Sequence, residues 1–272
     1  METKDQLLKE LEAIQNWEKE QKGLWFWEKL GRLPFKLLDR LTPQFIHKKI
    51  GQALDELGSY LQTGGRYLTN EKDILKRYTQ KTGVDGVTLE DISDLPIYMM
   101  DEISDELVRS RKNIAMTQGA ATGIGGIFTL SIDIPLLLGI SLKTLQDIAV
   151  TYGYDPNDKK ERIFIVKCLQ FVSADIVGRQ AILKELSTYS DREVETKGET
   201  LSQIQGWREV IMTYRDNFGW KKLFQMIPIA GIIFGSFMNK SMIRDIGETG
   251  KMLYKKRRIK EKLEVLTSVS ET

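Results

Sequence analysis

One apolar stretch limits the folds open to this chain more than any other feature. Residues 121–140 read ATGIGGIFTLSIDIPLLLGI and carry a single charge, Asp133, two positions before Pro135. A stretch of this length is about long enough to cross a bilayer as one helix. Proline disfavours the helical conformation for the residue before it, so one continuous helix is not expected. The stretch therefore predicts two helices, 113–130 and 134–152, with Asp133 capping the second and Gly153 ending it.

A second uncharged stretch, residues 223–239, has a similar pattern nearer the C-terminus. It is interrupted by Pro228 and places Gly231 and Gly235 four residues apart, a spacing that lets a neighbouring helix approach closely. Apolar residues elsewhere recur at helical spacing, and no run alternates as a strand would. These patterns predict an all-α fold, a multi-helix bundle with two Gly-rich apolar helical segments packed at its centre. Further helices are predicted at residues 5–20, 42–62, 70–81, 161–172, 175–187 and 201–214.

The length and composition predict a single helical domain over residues 1–272. A chain of 272 residues with 41% hydrophobic side chains can bury one large core. Near the N-terminus, Leu7, Leu11 and Ile14 recur at helical spacing among charged residues. We therefore expect residues 1–40 to form a peripheral amphipathic N-terminal arm of this domain.

The charge of the chain is unevenly distributed, although its net value is only +2. Residues 82–108 contain eight acidic and no basic residues, whereas residues 220–262 contain eleven basic and three acidic residues. Such a separation predicts a surface with an acidic and a basic side.

The sequence offers few residues for catalysis or metal binding. A single histidine, His47, and a single cysteine, Cys168, exclude the common zinc and di-iron sites and an internal disulfide. The run GIGG lacks the spacing of a nucleotide-binding loop. The motif DEISDE, residues 101–106, either holds a magnesium ion or forms a solvated acidic helix end. We expect no cofactor and no resident metal. The lone cysteine and the absence of a secretory signal predict a cytoplasmic location.

Two segments have the composition of membrane-contacting elements. The C-terminal run YKKRRIKEK contains Lys255, Lys256, Arg257 and Arg258, a cluster typical of segments that bind anionic lipid headgroups. Near the N-terminus, Trp25, Phe26 and Trp27 are interleaved with basic residues, as in interfacial helices. The alternative is that the basic tail is solvated and the aromatic residues belong to a core. Nucleic acid is not expected as a partner, because no recognised motif is present and the net charge is near zero.

Three segments resemble the bacterial EcsC protein family. They are GAATGIGGIFTLSIDIPLLLGISLKTLQDIAVTYGYDP, then ERIFIVKCLQ, and then IPIAGIIFGSFMNKSMIRDIGETGKMLYKKR. The resemblance implies an accessory role near a bacterial membrane, linked to an ABC transporter, with no established activity. The positions that match the family pattern are Asp133, Pro135, Tyr152, Gly153, Asp155, Arg162, Gly231, Gly235, Asn239 and Asp245.

Three hypotheses for function follow. The first is a non-enzymatic protein on the inner face of the cell membrane, which docks on anionic lipid or on a membrane protein such as an ABC transporter. The second is a hydrolase or metal-dependent enzyme that uses Asp133 with Arg162, or the DEISDE carboxylates. The third is an integral protein whose apolar hairpins enter the bilayer.

Overall fold

The computed structural model describes residues 2–21, 70–124, 130–174, 176–188 and 228–270, and it describes the backbone alone for 122–124, 130–135, 173, 176–177, 187–188, 228–235 and 269–270. These residues form eight α-helices and no strand, which confirms the all-α class. The helices are α1 Lys4–Glu20, α2 Glu71–Thr82, α3 Leu89–Ile92, α4 Ile97–Ile124, α5 Leu130–Thr151, α6 Lys159–Ser173, α7 Ile176–Thr188 and α8 Pro228–Ser270.

Helix α8 is the central element of the bundle. Its 43 residues span about 65 Å at 1.5 Å per residue, and it packs against α1, α4, α5 and α6. Pro228 occupies its first position, where the missing N–H would have no partner within the helix. From Pro228 onward, the second Gly-rich apolar segment is therefore continuous with the basic tail in one helix.

The hairpin of α4 and α5 corrects the predicted position of the break in the first apolar segment. Helix α4 begins at Ile97 and ends at Ile124, and α5 begins at Leu130. Asp133 and Pro135 thus lie inside the first two turns of α5, and Asp133 does not cap it. Pro135 is the sixth residue of α5 and so lies beyond the first four N–H positions, which have no intrahelical acceptor; the helix therefore gives up one backbone hydrogen bond there.

The remaining elements agree more closely with the sequence patterns. Helix α1 begins with a capping box in which Thr3 and Gln6 bond each other's backbone, and it buries Leu7, Ile14 and Trp17. The predicted helix at 70–81 is observed as α2, which ends at Gly83 in the left-handed conformation. Gly153 ends α5 with a φ of +77°, as predicted.

Two glycines of α8 allow close packing against the hairpin. A side-chain carbon at Gly247 would lie 2.5 Å from Val108 of α4, and one at Gly250 would lie 2.6 Å from Leu145 of α5. These contacts place α8 against both helices of the hairpin, at glycines that lie beyond the second apolar segment, and the predicted central packing of the two Gly-rich segments stays a prediction. None of the described helices combines the length and the apolar character needed to span a bilayer.

Candidate functional site

The four basic residues predicted to contact a membrane lie within the bundle, and each has a carboxylate partner. Lys255 bonds Glu10 and Asp101, Lys256 bonds Glu18, Arg257 bonds Glu161, and Arg258 bonds Glu261. Lys255 and Arg258 are buried, and Lys256 and Arg257 are half-buried. These four residues are therefore not an exposed cationic patch, and their charge is already balanced inside the fold.

Arg257 forms the most enclosed of these pairs. Its two terminal nitrogens donate to the two carboxylate oxygens of Glu161 at 2.9 and 2.8 Å. The guanidinium lies 4.2 Å from the ring centre of Tyr154 and 4.5 Å from that of Phe164. Burial works against the charged form, but the hydrogen bonds and the charge of Glu161 raise the pKa of Arg257 above its usual value. The pair thus fixes α8 against α6 in one register.

Arg258 holds the connection between α5 and α6. Its guanidinium donates to the carbonyl of Tyr152 at 2.7 and 2.9 Å and to that of Gly153 at 3.3 Å. Asp155 accepts from the backbone and side chain of Asn157, whose carbonyl accepts from Arg162. The family-like positions 152, 153, 155 and 162 therefore converge on one turn, which these hydrogen bonds hold together.

The DEISDE motif pairs with basic residues on two sides and does not gather its carboxylates around one point. Asp101 and Asp105 face α8, where they bond Lys255 and Lys251. On the other side, Glu102 and Glu106 face α2, where they bond Lys81 and Arg77. The alternation follows from helical geometry, since residues four apart share a face. Neither the magnesium site nor the purely solvated helix end is observed, and among the described side chains no group of three metal-binding residues occurs.

The hydroxyl and thiol groups near these pairs are poor nucleophiles. The Tyr152 hydroxyl donates to Asp101 at 2.6 Å, and burial together with that carboxylate raises its pKa well above the usual value. Burial likewise raises the pKa of the Cys168 thiol. Reactive cysteines need the opposite environment, one that stabilises the thiolate.

The proposed catalytic pairing of Asp133 with Arg162 is wrong. Asp133 lies in the first turn of α5, while Arg162 follows the turn at the opposite end of that helix. The length of α5 between them corresponds to about 27 Å, so the two residues cannot act on one substrate.

A second set of buried polar residues lies along the middle of α8. Asn239 and Asp245, both family-like positions, are 1% and 7% exposed. Arg179 of α7 is fully buried near Asp245, and its charge favours the ionised carboxylate. No sequence pattern indicated that Arg179 is buried, because an arginine between a glycine and a glutamine has the same local sequence whether it faces the core or solvent.

Burial raises the pKa of Asp245 from 3.8 to about 7, although a 3.0 Å hydrogen bond from Arg244 opposes the shift. A folded-state pKa above the unfolded value means that the folded protein holds the proton longer, so stability falls as the pH rises from about 4 to about 7. We expect the titration of this residue to lower the free energy of unfolding by roughly 2 kcal/mol between pH 5 and pH 7. Asp245→Asn should remove this contribution to the pH dependence of the free energy of unfolding, which urea denaturation at pH 5 and pH 7 measures. An equal change in the free energy of unfolding between pH 5 and pH 7 for the parent protein and the variant would contradict the prediction.

A cleft with a volume of about 230 Å³ adjoins the Arg258 turn. It lies between the start of α1, residues 93–96 and the last turns of α8. We call it the α1–α8 cleft. No sequence pattern indicated it, because its walls come from three segments that are distant along the chain.

Several predicted positions cannot be placed in this arrangement. Trp25, Phe26 and Trp27 lie outside the described residues, as do His47 and the predicted helices at 42–62 and 201–214. Gly231 and Gly235 lie in the first turns of α8, at the far end of the helix from the Arg258 turn.

Comparison with known proteins identifies the family. The model of the EcsC protein family matches residues 8–259. A protein of Bacillus subtilis (strain 168) described as uncharacterized protein YdbA is 58% identical over 263 residues, which cover 96% of each chain. Protein EcsC of the same organism is 27% identical over 230 residues, which cover 85% of this chain and 86% of its own. No solved structure matches significantly. Because the family model covers most of its length, the chain belongs to the EcsC protein family.

Proposed function

We propose that this protein is a non-enzymatic accessory protein that docks on the anionic, cytoplasmic face of a bacterial membrane. The observation that supports this is a set of exposed apolar side chains at one end of the bundle. Ile114, Met116, Leu136 and Phe237 are 45%, 37%, 47% and 51% exposed. We call these four residues the apolar end.

The helix register brings these residues to the same level. Lys255 pairs with Asp101 and Lys251 with Asp105, so each turn along α8 matches a turn in the opposite direction along α4. Three turns from Lys251 toward the N-terminus of α8 lead to Lys240, and three turns from Asp105 toward the C-terminus of α4 lead to Met116. Lys240 and Met116 therefore lie at the same level. Helix α5 runs parallel to α8, with Leu145 beside Gly250. A similar distance toward the N-terminus of α5 leads to Leu136, which therefore lies at the level of Lys240 and Met116.

The charge at this end favours an anionic surface. Lys240 is exposed and Lys112 half-buried, and neither pairs with a described carboxylate. The neighbouring acids Asp147 and Asp245 are buried and bonded to Arg111 and Arg244. Apolar side chains beside unpaired lysines are typical of surfaces that enter the headgroup region of a bilayer.

The expected affinity is modest. Burial of a half-exposed large apolar side chain contributes about 1 kcal/mol, and each lysine near anionic lipid contributes about 1 kcal/mol. A total of about 6 kcal/mol corresponds to a dissociation constant between about 1 mM and 1 µM. Such binding is reversible and sensitive to salt.

Flotation with phosphatidylglycerol vesicles tests the proposal. We expect the protein to float with these vesicles, to float less with phosphatidylcholine vesicles, and to be released by high salt. Phe237→Ser and Lys240→Gln should each reduce the bound fraction several-fold, because each removes about 1 kcal/mol or more of the interaction.

Matched control variants lie at the other end of the molecule. Val265 is an exposed apolar residue near the end of α8, and Lys9 is an exposed lysine of α1. Val265→Ser and Lys9→Gln should leave flotation unchanged. Equal loss in the control variants, or no flotation of the parent protein, would contradict lipid docking. Binding to native membranes alone would point instead to a membrane protein, such as the ABC transporter implied by the family resemblance.

A further inference from the structure

The α1–α8 cleft lies at the end of the bundle opposite the apolar end, and its walls are largely apolar. Leu7 forms part of its floor, and Pro96, Val265 and Leu266 line its sides. Val265 is 62% exposed, so the cleft opens to solvent beside an accessible apolar side chain. Its volume of about 230 Å³ is smaller than the roughly 300 to 1,000 Å³ of typical small-molecule sites. That size suits one or two side chains of a partner better than a whole cofactor.

Both cationic side chains of the cleft already make contacts within the protein. The Arg258 guanidinium donates to the carbonyls of Tyr152 and Gly153 and to Glu261. Lys262 donates to the carbonyl of Leu95 at 2.8 Å. A ligand that needs cationic donors would therefore have to compete with bonds that hold the fold.

Two carboxylates of the cleft, Glu2 and Asp94, in contrast have acceptor capacity left. One oxygen of Glu2 accepts from the backbone N–H of Ile97 at 2.8 Å, whereas the other oxygen is buried without a hydrogen bond and lies 3.8 Å from the Lys262 nitrogen. Asp94 accepts only a long, 3.5 Å bond from Ser93. A buried acceptor without a donor is costly, so the cleft favours a ligand that brings N–H groups.

The segment that contributes Ser93, Asp94 and Pro96 to the cleft is rich in acidic residues. Residues 82–108 contain eight acidic and no basic residues, and Asp85, Glu90 and Asp91 of this segment are exposed. The DEISDE carboxylates are paired with lysine and arginine, but these three acids make no ion pair with a described residue. Their field favours a cationic partner during association.

We infer that the α1–α8 cleft binds a short basic segment of a partner protein, with an apolar side chain against Leu7 and Val265 and a lysine or arginine at Glu2 and Asp94. This inference goes beyond membrane docking, because it assigns a protein partner to the opposite end of the molecule. The protein would then connect a membrane surface at one end with a basic protein segment at the other.

A fluorescein-labelled peptide of alternating leucine and lysine is a suitable probe for anisotropy titrations with the full chain. We expect binding that weakens as salt is added. Asp94→Asn and Val265→Ser should each weaken it by about tenfold, because one removes a charged acceptor and the other an apolar wall. Glu2→Gln should act in the same direction, with thermal unfolding measured in parallel because Glu2 also bonds the start of α4.

Controls separate this site from general electrostatic attraction and from lipid docking. Asp73→Asn removes an exposed acid of α2 that does not line the cleft, and it should leave peptide binding unchanged. Phe237→Ser should impair flotation but not peptide binding, and Asp94→Asn should do the reverse, so the two proposals fail independently. Equal binding of a leucine–glutamate peptide, equal binding of spermine, or unchanged binding by folded Asp94→Asn and Val265→Ser proteins would overturn the inference.

Discussion

Replacing Arg257 by alanine is expected to lower the free energy of unfolding by about 3 to 5 kcal/mol. The substitution leaves the Glu161 carboxylate, whose side chain is only 8% exposed, without its charged partner and with only a 3.3 Å hydrogen bond from the Tyr254 hydroxyl. It also removes the planar group that stacks on Tyr154 and Phe164. Most of the cost comes from the unpaired buried charge, because an intact buried pair contributes little once desolvation is counted. Urea denaturation at neutral pH measures the change.

Two further variants distinguish this explanation from a general weakness of α8. Lys260 lies three residues away on the same helix and has no ion pair with a described residue, so Lys260→Ala should cost less than about 0.5 kcal/mol. The double variant Arg257→Met with Glu161→Gln should recover much of the stability, since no unpaired charge remains. A double variant as unstable as Arg257→Ala would show that the shape of the side chain, and not its charge, dominates.

Replacing Gly247 by leucine is expected to destabilise the protein by about 3 kcal/mol or more. The added carbon would lie 2.5 and 2.7 Å from the two methyl groups of Val108 and 3.2 Å from its β-carbon. A β-branched side chain in a helix has one strongly preferred rotamer, so Val108 cannot turn away. The helices α4 and α8 would have to separate where they pack most closely.

Gly139 provides the matched control for this substitution. It also lies inside a helix, α5, but nothing lies within 4 Å of the position of an added carbon. Gly139→Leu should therefore stabilise the protein by up to about 1 kcal/mol through helix propensity. Thermal or urea unfolding of the two variants gives changes of opposite sign if the close contact at Val108 is real. Destabilisation of similar size in both would contradict it.

The sequence predicted helix positions best where local chemistry determines them. The start of α1 follows from its capping box, the end of α2 follows from a left-handed glycine, and Gly153 was predicted as the end of α5. The start of α5 was predicted four residues too late, because Pro135 was taken to mark the first turn of the helix, whereas α5 begins at Leu130 and continues through the proline. The correctly and the incorrectly predicted helix ends alike depend on interactions between residues that are close in sequence.

The candidate site could be predicted only in part. The family-like residues Tyr152, Gly153 and Asp155 are close in sequence, and the structure places them in one turn. The basic run at 255–258 was identified as chemically distinct, but its carboxylate partners lie in α1, α4, α6 and α8. A lysine on a helix surface has the same sequence pattern whether it faces water, lipid or another helix.

Taken alone, the amino-acid sequence determined the helical class, most of the helix ends, the separation of acidic and basic segments and the family. These properties depend on hydrogen bonds, caps and periodicity over one or two turns, or on composition. Only the tertiary structure decided that the basic tail is neutralised by carboxylates up to 245 residues away. It also decided that Gly247 packs against Val108 and that a cleft forms between α1 and α8. These contacts depend on which helix faces which, and that choice is set by packing of the whole core.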